Sequence, residues 1–175
     1  MGDVIDAVHA LDDAVDKWLE LHRSERLDRL FYGLSSAADH GLLWHALGAV
    51  RALRRREPGY ALRFSTALGI ESALTNGLVK LLFRRMRPPD HFENDDPLPY
   101  GMRRPITSSF PSGHAATAFM CAVLLSKGNR AGPAYFSLAA LVAASRVYTR
   151  MHHASDVAAG AVLGLVLGSA ARSKV

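Results

Sequence analysis

Apolar positions along this chain recur at helical spacing, and no stretch alternates with period two for long enough to form a strand. Over residues 3–31, Val4, Val8, Leu11, Val15 and Trp18 follow in steps of four and three and form one helical stripe. Asp6, Asp12, Asp13, Asp16, Glu20 and Arg23 occupy the other face. A segment carrying these charges does not cross lipid; it lies on a membrane surface or packs against a helical core. A second helix is predicted over Ser35 to Leu53, with Trp44 and His45 interrupting its apolar course. A basic turn containing Arg51, Arg54, Arg55 and Arg56 follows, punctuated by Pro58 and Gly59. The third helix is predicted over Tyr60 to Arg85. It ends at Arg87-Pro88-Pro89, because proline cannot continue the hydrogen-bond ladder.

Residues 88–111 read as irregular, with six prolines and the acids Asp90, Glu93, Asp95 and Asp96. Long loops of this kind are functional or disordered. Three more helices are predicted over Ser112 to Lys127, Gly132 to Arg150 and Ala154 to Arg172. Each contains a charge-free run of 15 residues: Ser112–Ser126, Ala131–Ser145 and Val157–Ala171. These runs fall short of the roughly 20 residues that span a bilayer, so they are core helices or spans with polar, working ends. Gly160, Gly164 and Gly168 share one face of the last helix. Such spacing lets helices approach closely, within the fold or in a homo-oligomer.

The 175 residues make one domain, here 1–175, divided into an amphipathic segment 1–32 and a helical core 35–172. Hydrophobic residues make up 49 % of the chain and the net charge is only +5, which excludes intrinsic disorder. The single cysteine, Cys121, excludes an internal disulfide. Aromatic residues at 8 % argue against a base-stacking surface, so no nucleic-acid partner is expected. Asp3 and Asp6 stand where a signal peptide would carry basic residues.

Three short segments hold polar groups where an apolar helix should have none. Lys80 and Arg87 lie two helical turns apart and project from one face, toward a ligand or toward the interface. Pro111-Ser112-Gly113-His114 opens a helix: Ser112 suits the N-cap, and Gly113 allows a ligand close to free N–H groups that favour anions. Arg146 sits inside an apolar helix, followed by His152 and, four residues on, Asp156. A carboxylate at that spacing can hold one ring nitrogen and leave the other as a nucleophile; a buried ion pair and a capping aspartate is the alternative. Three cations, a helix N-terminus, two histidines and an aspartate together suit a phosphoryl group. There is no glycine-rich nucleotide loop and no HExxH or paired-cysteine pattern, so neither metal nor cofactor is implied.

Lys80-x6-Arg87-Pro88, Pro111-Ser112-Gly113-His114 and Ser145-Arg146-x5-His152-x3-Asp156 resemble, in order and spacing, the three signature motifs of the type 2 phosphatidic acid phosphatase superfamily. That superfamily also contains vanadium haloperoxidases and bacterial acid phosphatases. The resemblance covers residues 80–156. It implies an all-α, six-helix bundle, mostly transmembrane, with an amphipathic N-terminal helix. It implies that His152 attacks phosphorus, that Asp156 orients it, and that His114 protonates the leaving oxygen and then activates water. Lys80, Arg87, Ser112, Gly113 and Arg146 would hold the phosphate oxygens without a metal. Two positions depart from the family pattern. Arg150 stands where glycine is usual and is a further candidate contact for phosphate; His153 stands where an aromatic residue is common.

The expected partners are a membrane lipid phosphate and the bilayer itself. Helix counting puts the motifs at one end of the bundle. Arg51, Arg54, Arg55, Arg56, Lys127, Arg130, Arg172 and Lys174 lie at the other, so the positive-inside rule turns the site away from the cytoplasm. Motifs that bind phosphate do not name the lipid: a phosphomonoester or a diphosphate fits, on a polyprenyl-linked lipid such as a decaprenyl-phosphoryl phosphoribose or on a phospholipid. A vanadate-dependent haloperoxidase and a non-catalytic lipid-binding scaffold are the competing classes. His9, His22, His40, His45 and His91 are expected at surfaces, and Asp95-Asp96 in a solvated loop.

Overall fold

Seven α-helices form where the sequence predicts six. The computed structural model describes residues 2–88, 100 and 107–175, and these include no strand. His91, Asp95 and Asp96 lie outside them. The additional helix comes from the first segment, which divides into α1 (Gly2–Leu21) and α2 (Glu25–Ala37). Ser24 causes the break: its backbone is extended (φ −153°) and its hydroxyl accepts from the Leu27 N–H, which starts a new helix. A turn over Asp39–Gly41 then separates α2 from α3 (Leu42–Arg55), with His40 and Gly41 at φ 54° and 72°. The helix expected from Ser35 is interrupted there, because two consecutive left-handed residues cannot continue a right-handed helix.

Pro58 occupies the first turn of α4 (Pro58–Ser72), where its missing N–H costs nothing. The helix continues as a wide π-type coil over Ala73–Val79 and delivers Lys80 at its end. α5 (Gly113–Ser126), α6 (Gly132–Tyr148) and α7 (Ala154–Ala171) match the predicted final helices to within about two residues at each end.

Trp44, Tyr60, Phe64, Leu124, Leu125 and Val142 form the centre of the core. α5 and α7 run in the same direction. Gly160, Gly164 and Gly168 of α7 meet Ser112 and Ala115, Ala116, and then Met120 and Val123 of α5, in that order. A side chain on Gly168 would place its Cβ 2.9 Å from that of Val123. The glycine face considered for self-association is thus filled within the chain. α7 is the one helix among the described residues long and apolar enough to cross a bilayer alone; α5 is apolar but shorter. The other helices break their apolar runs with working charges such as Arg51, Glu71, Lys80 and Arg146. Helix length by itself therefore does not yield the six-span bundle.

Candidate active site

The turn at 39–41, the end of α4, the start of α5, the end of α6 and the turn before α7 converge on a cavity of about 480 Å³. Lys80, Arg87, Gly113, His114, Arg146 and His152 line it, bringing together residues up to 72 positions apart along the chain. Ser112 and Asp156 are fully buried behind its wall.

His152 is 2 % exposed, in the turn between α6 and α7. Its Nδ1 lies 2.7 Å from the Ser109 carbonyl and 3.7 Å from the Asp156 carboxylate. A carbonyl can only accept, so the hydrogen-bond network assigns the proton to Nδ1 and leaves Nε2 unprotonated, as an acceptor. Nε2 lies 3.4 Å from the Arg87 guanidinium, on the cavity side. Burial pushes the imidazole down to about 3, and the charges of Arg146, Arg87 and Lys80 push the same way against the pull of Asp156. The ring is therefore neutral at physiological pH and able to act as a nucleophile. Asp156 is itself fixed by the His153 N–H at 2.9 Å and by Arg85 at 2.7 Å.

The cations are held by groups the sequence did not single out. Arg87 donates to the carbonyls of Met151 (2.6 Å), Thr107 (3.2 Å) and Ser108 (3.3 Å). Arg146 donates to the Ser35 hydroxyl of α2, and Lys80 reaches Thr107 Oγ1 at 3.4 Å. Guanidinium groups anchored mostly by neutral acceptors keep their charge for an incoming anion. At the start of α5, Gly113 packs against the Asn76 side chain; a Cβ there would stand 2.6 Å from Asn76 Oδ1. Ser112 caps the helix, its hydroxyl accepting from the Ala115 N–H. The hydroxyl is buried and accepts in the cap, which leaves its O–H as a donor.

His114 Nε2 lies 2.8 Å from Asp39 Oδ1. Burial alone would raise the Asp39 carboxyl; the hydrogen bond with His114 outweighs it, helped by the Arg146 charge, and holds the group below its ordinary value. The second histidine thus has its own carboxylate, 75 residues earlier in the chain. In the sequence, Asp39 falls inside the helix predicted over Ser35 to Leu53 and is not singled out. His40 is exposed, as expected, and lines the cavity together with the half-buried His45, which bonds the Ser65 hydroxyl at 2.9 Å. Arg150 faces away from phosphate: it lies at φ 57° and pairs with Asp16 of α1 at 2.7 Å.

A family model described as the PAP2 superfamily matches residues 60–174. Lipid A 1-phosphatase of Porphyromonas gingivalis is 38 % identical over 112 residues, covering 59 % of this chain but only 22 % of that protein. Decaprenylphosphoryl-5-phosphoribose phosphatase of Mycobacterium tuberculosis is 31 % identical over 140 residues, 78 % of this chain and 74 % of that one. The transmembrane PAP2-type phosphatidylglycerolphosphate phosphatase of Bacillus subtilis superposes with a TM-score of 0.75 at 26 % identity, over 96 % of this chain and 86 % of that chain. LpxE of Aquifex aeolicus gives 0.72 at 26 % identity, over 91 % and 93 %. The phosphatases among these relatives support a phosphoric monoester hydrolase, and the transmembrane setting of the Bacillus subtilis protein supports membrane association.

Proposed function

The chain belongs to the PAP2 superfamily, and on that premise we propose that it is an integral-membrane lipid-phosphate phosphatase working through a phosphohistidine. The observation that carries this reading is the unprotonated Nε2 of His152, which faces Arg87 at 3.4 Å in a cavity that also holds Lys80, Arg146 and the N-terminus of α5. Lys80, Arg87, Arg146 and the Gly113 N–H bind the non-bridging oxygens and spread the charge of the transition state. The Nε2 lone pair forms a bond to phosphorus as the bond to the lipid oxygen breaks. Burial holds His114 neutral, down to about 4, with its Nε2–H on Asp39, so the monoanionic phosphate supplies a proton to Nδ1 and His114 passes it to the departing oxygen. His114 then takes a proton from water, the resulting hydroxide attacks phosphorus, and the P–N electron pair returns to Nε2. Asp156 stabilises the charged imidazole, Asp39 orients His114, and Ser112 holds the α5 terminus in place.

The outer surface supports a bilayer setting. Val162 and Val166 of α7, Leu62 and Ile70 of α4 and Leu53 of α3 are each more than half exposed. An apolar surface of this kind needs lipid or a partner to cover it. Arg51, Arg54, Arg55, Arg56, Lys127 and Lys174 gather at the end remote from the cavity, which supports a site facing away from the cytoplasm. Among lipids we favour a polyprenyl-linked phosphomonoester, because the similarity to the decaprenylphosphoryl-5-phosphoribose phosphatase extends over most of both chains.

The test is phosphate release by the detergent-solubilised protein from decaprenylphosphoryl-5-phosphoribose, lipid A, phosphatidylglycerolphosphate and phosphatidate. Release is expected, fastest from the polyprenyl substrate. His152→Ala should keep the wild-type melting temperature and lose at least roughly 1,000-fold in rate, as nucleophile deletions do. Undiminished turnover by that variant removes His152 as nucleophile.

A further inference from the structure

The amphipathic helix α1 docks in an unusual way. Its apolar stripe stays outside, with Val4, Leu11 and Trp18 exposed at 67 %, 58 % and 57 %, while Asp12 is 2 % exposed against the body of the protein. A carboxylate buried in this way is costly unless fully paired. Asp12 is: it accepts from the Ser155 N–H at 2.8 Å, the Ser155 hydroxyl at 2.6 Å and Arg85 at 2.6 Å. The other amino group of Arg85 donates to Asp156 at 2.7 Å. One guanidinium therefore bridges the carboxylate of α1 to the carboxylate beside the nucleophile.

One helical turn further along α1, Asp16 pairs with Arg150 at 2.7 Å and lies 4.0 Å from His153. Arg150 and His153 are the two positions at which this chain departs from the family motif, and they flank His152. A left-handed Arg150 is less favourable than glycine there, so its side chain needs a reason to be present. The ion pair to Asp16 supplies one: the turn is tethered to α1.

We propose that α1 is part of the catalytic apparatus, with Asp12 acting through Arg85 as a positioning residue for Asp156 and His152, and Asp16 pinning the turn that carries the nucleophile. The proposal rests on the phosphatase reading for its turnover assay and is separable from it by a binding assay. Asp12→Asn keeps the shape of the side chain and removes the charge that holds Arg85. In the full-length protein it should lower kcat roughly 10- to 100-fold, the range seen when outer partners of a site are lost, with KM nearly unchanged. Asp12→Glu should restore part of the loss, and Asp13→Asn, on the exposed side of α1, should change nothing. In an Asp156→Asn background, Asp12→Asn should cost no more than about twofold, because residues acting through one another are not additive. A simple multiplication of the two losses, or a lowered melting temperature with kcat intact, overturns the proposal and leaves α1 a structural strap. Should Asp12→Asn fail to fold, Arg85→Lys tests the same link, since an ammonium cannot bridge two carboxylates as a guanidinium fork does. Orthovanadate titration reads the link without turnover. If the wild type releases no phosphate the phosphatase reading falls, while weaker vanadate binding by Asp12→Asn still supports the relay and equal binding refutes it.

Discussion

At the scale of single residues, the site rests on two histidines given different surroundings. His152 is buried, neutral and oriented by a carbonyl, whereas His114 reaches a half-exposed carboxylate. The folded value of about 3 for His152 lies below the ordinary 6.5. As pH falls below 6.5 the unfolded chain takes up a proton that the folded one refuses, so stability present above 6.5 is lost as pH approaches 3. The wild-type melting temperature should therefore fall more steeply between about pH 7 and pH 4 than that of His152→Asn; parallel curves would mean the ring is not held neutral. For His114 the readout is the leaving group. In a single-turnover measurement of the first, phosphoenzyme-forming step, His114→Ala should slow loss of an alkyl leaving group by roughly 10²- to 10⁴-fold but loss of p-nitrophenol far less, because a good leaving group needs no proton. Asp39→Asn should follow the same pattern with a smaller loss, and equal losses on both substrates would remove His114 as the acid. Most of these site residues were legible in the sequence, because a charge inside an apolar helix stands out against its neighbours. The Ser109 carbonyl was not, since a backbone acceptor leaves no mark on residue identity. Asp39 was not either, since its partner lies 75 residues away.

At the scale of elements, the parallel pair α5 and α7 holds both helix N-termini at the cavity. The pair depends on small residues where the backbones touch. Gly164→Val would drive a branched side chain into the Ala116 carbonyl and should destabilise by about 1–3 kcal/mol, seen as a lower melting temperature. An unchanged melting temperature would mean the helices are further apart than described. The last three helices were legible because Ser112, Gly132-Pro133 and Ala154 open runs of apolar residues that end in polar ones. The first segment misled because its stripe, Val4 to Trp18, lies wholly within α1 and carries no information on residues 22–31, where the cap at Ser24 starts a new helix. The wide coil at Ala73–Val79 has no such signal; its consequence is the placement of Asn76 against Gly113 and of Lys80 at the cavity.

At the scale of the whole molecule, charge and apolar surface are arranged along one axis. Basic groups gather at one end, where Arg55 bonds the Lys127 carbonyl at 3.0 Å, and the cavity lined by Lys80, Arg87 and Arg146 opens at the other. The apolar flank between them is the surface expected to meet lipid. The outermost helix, α1, joins this arrangement through Asp12 and Asp16 to the turn that carries His152. Segments remote in sequence thus meet at one cavity, the place of the proposed phosphoryl transfer to and from an imidazole. The most direct measurement is a rapid acid-free quench of the protein with a ³²P-labelled lipid phosphate, followed by mapping of protein-bound label. A base-stable, acid-labile phosphate on His152, absent from His152→Asn, is the expected result. Label that persists in His152→Asn, or turnover with no phosphoenzyme at any quench time, would show that phosphate leaves by another route.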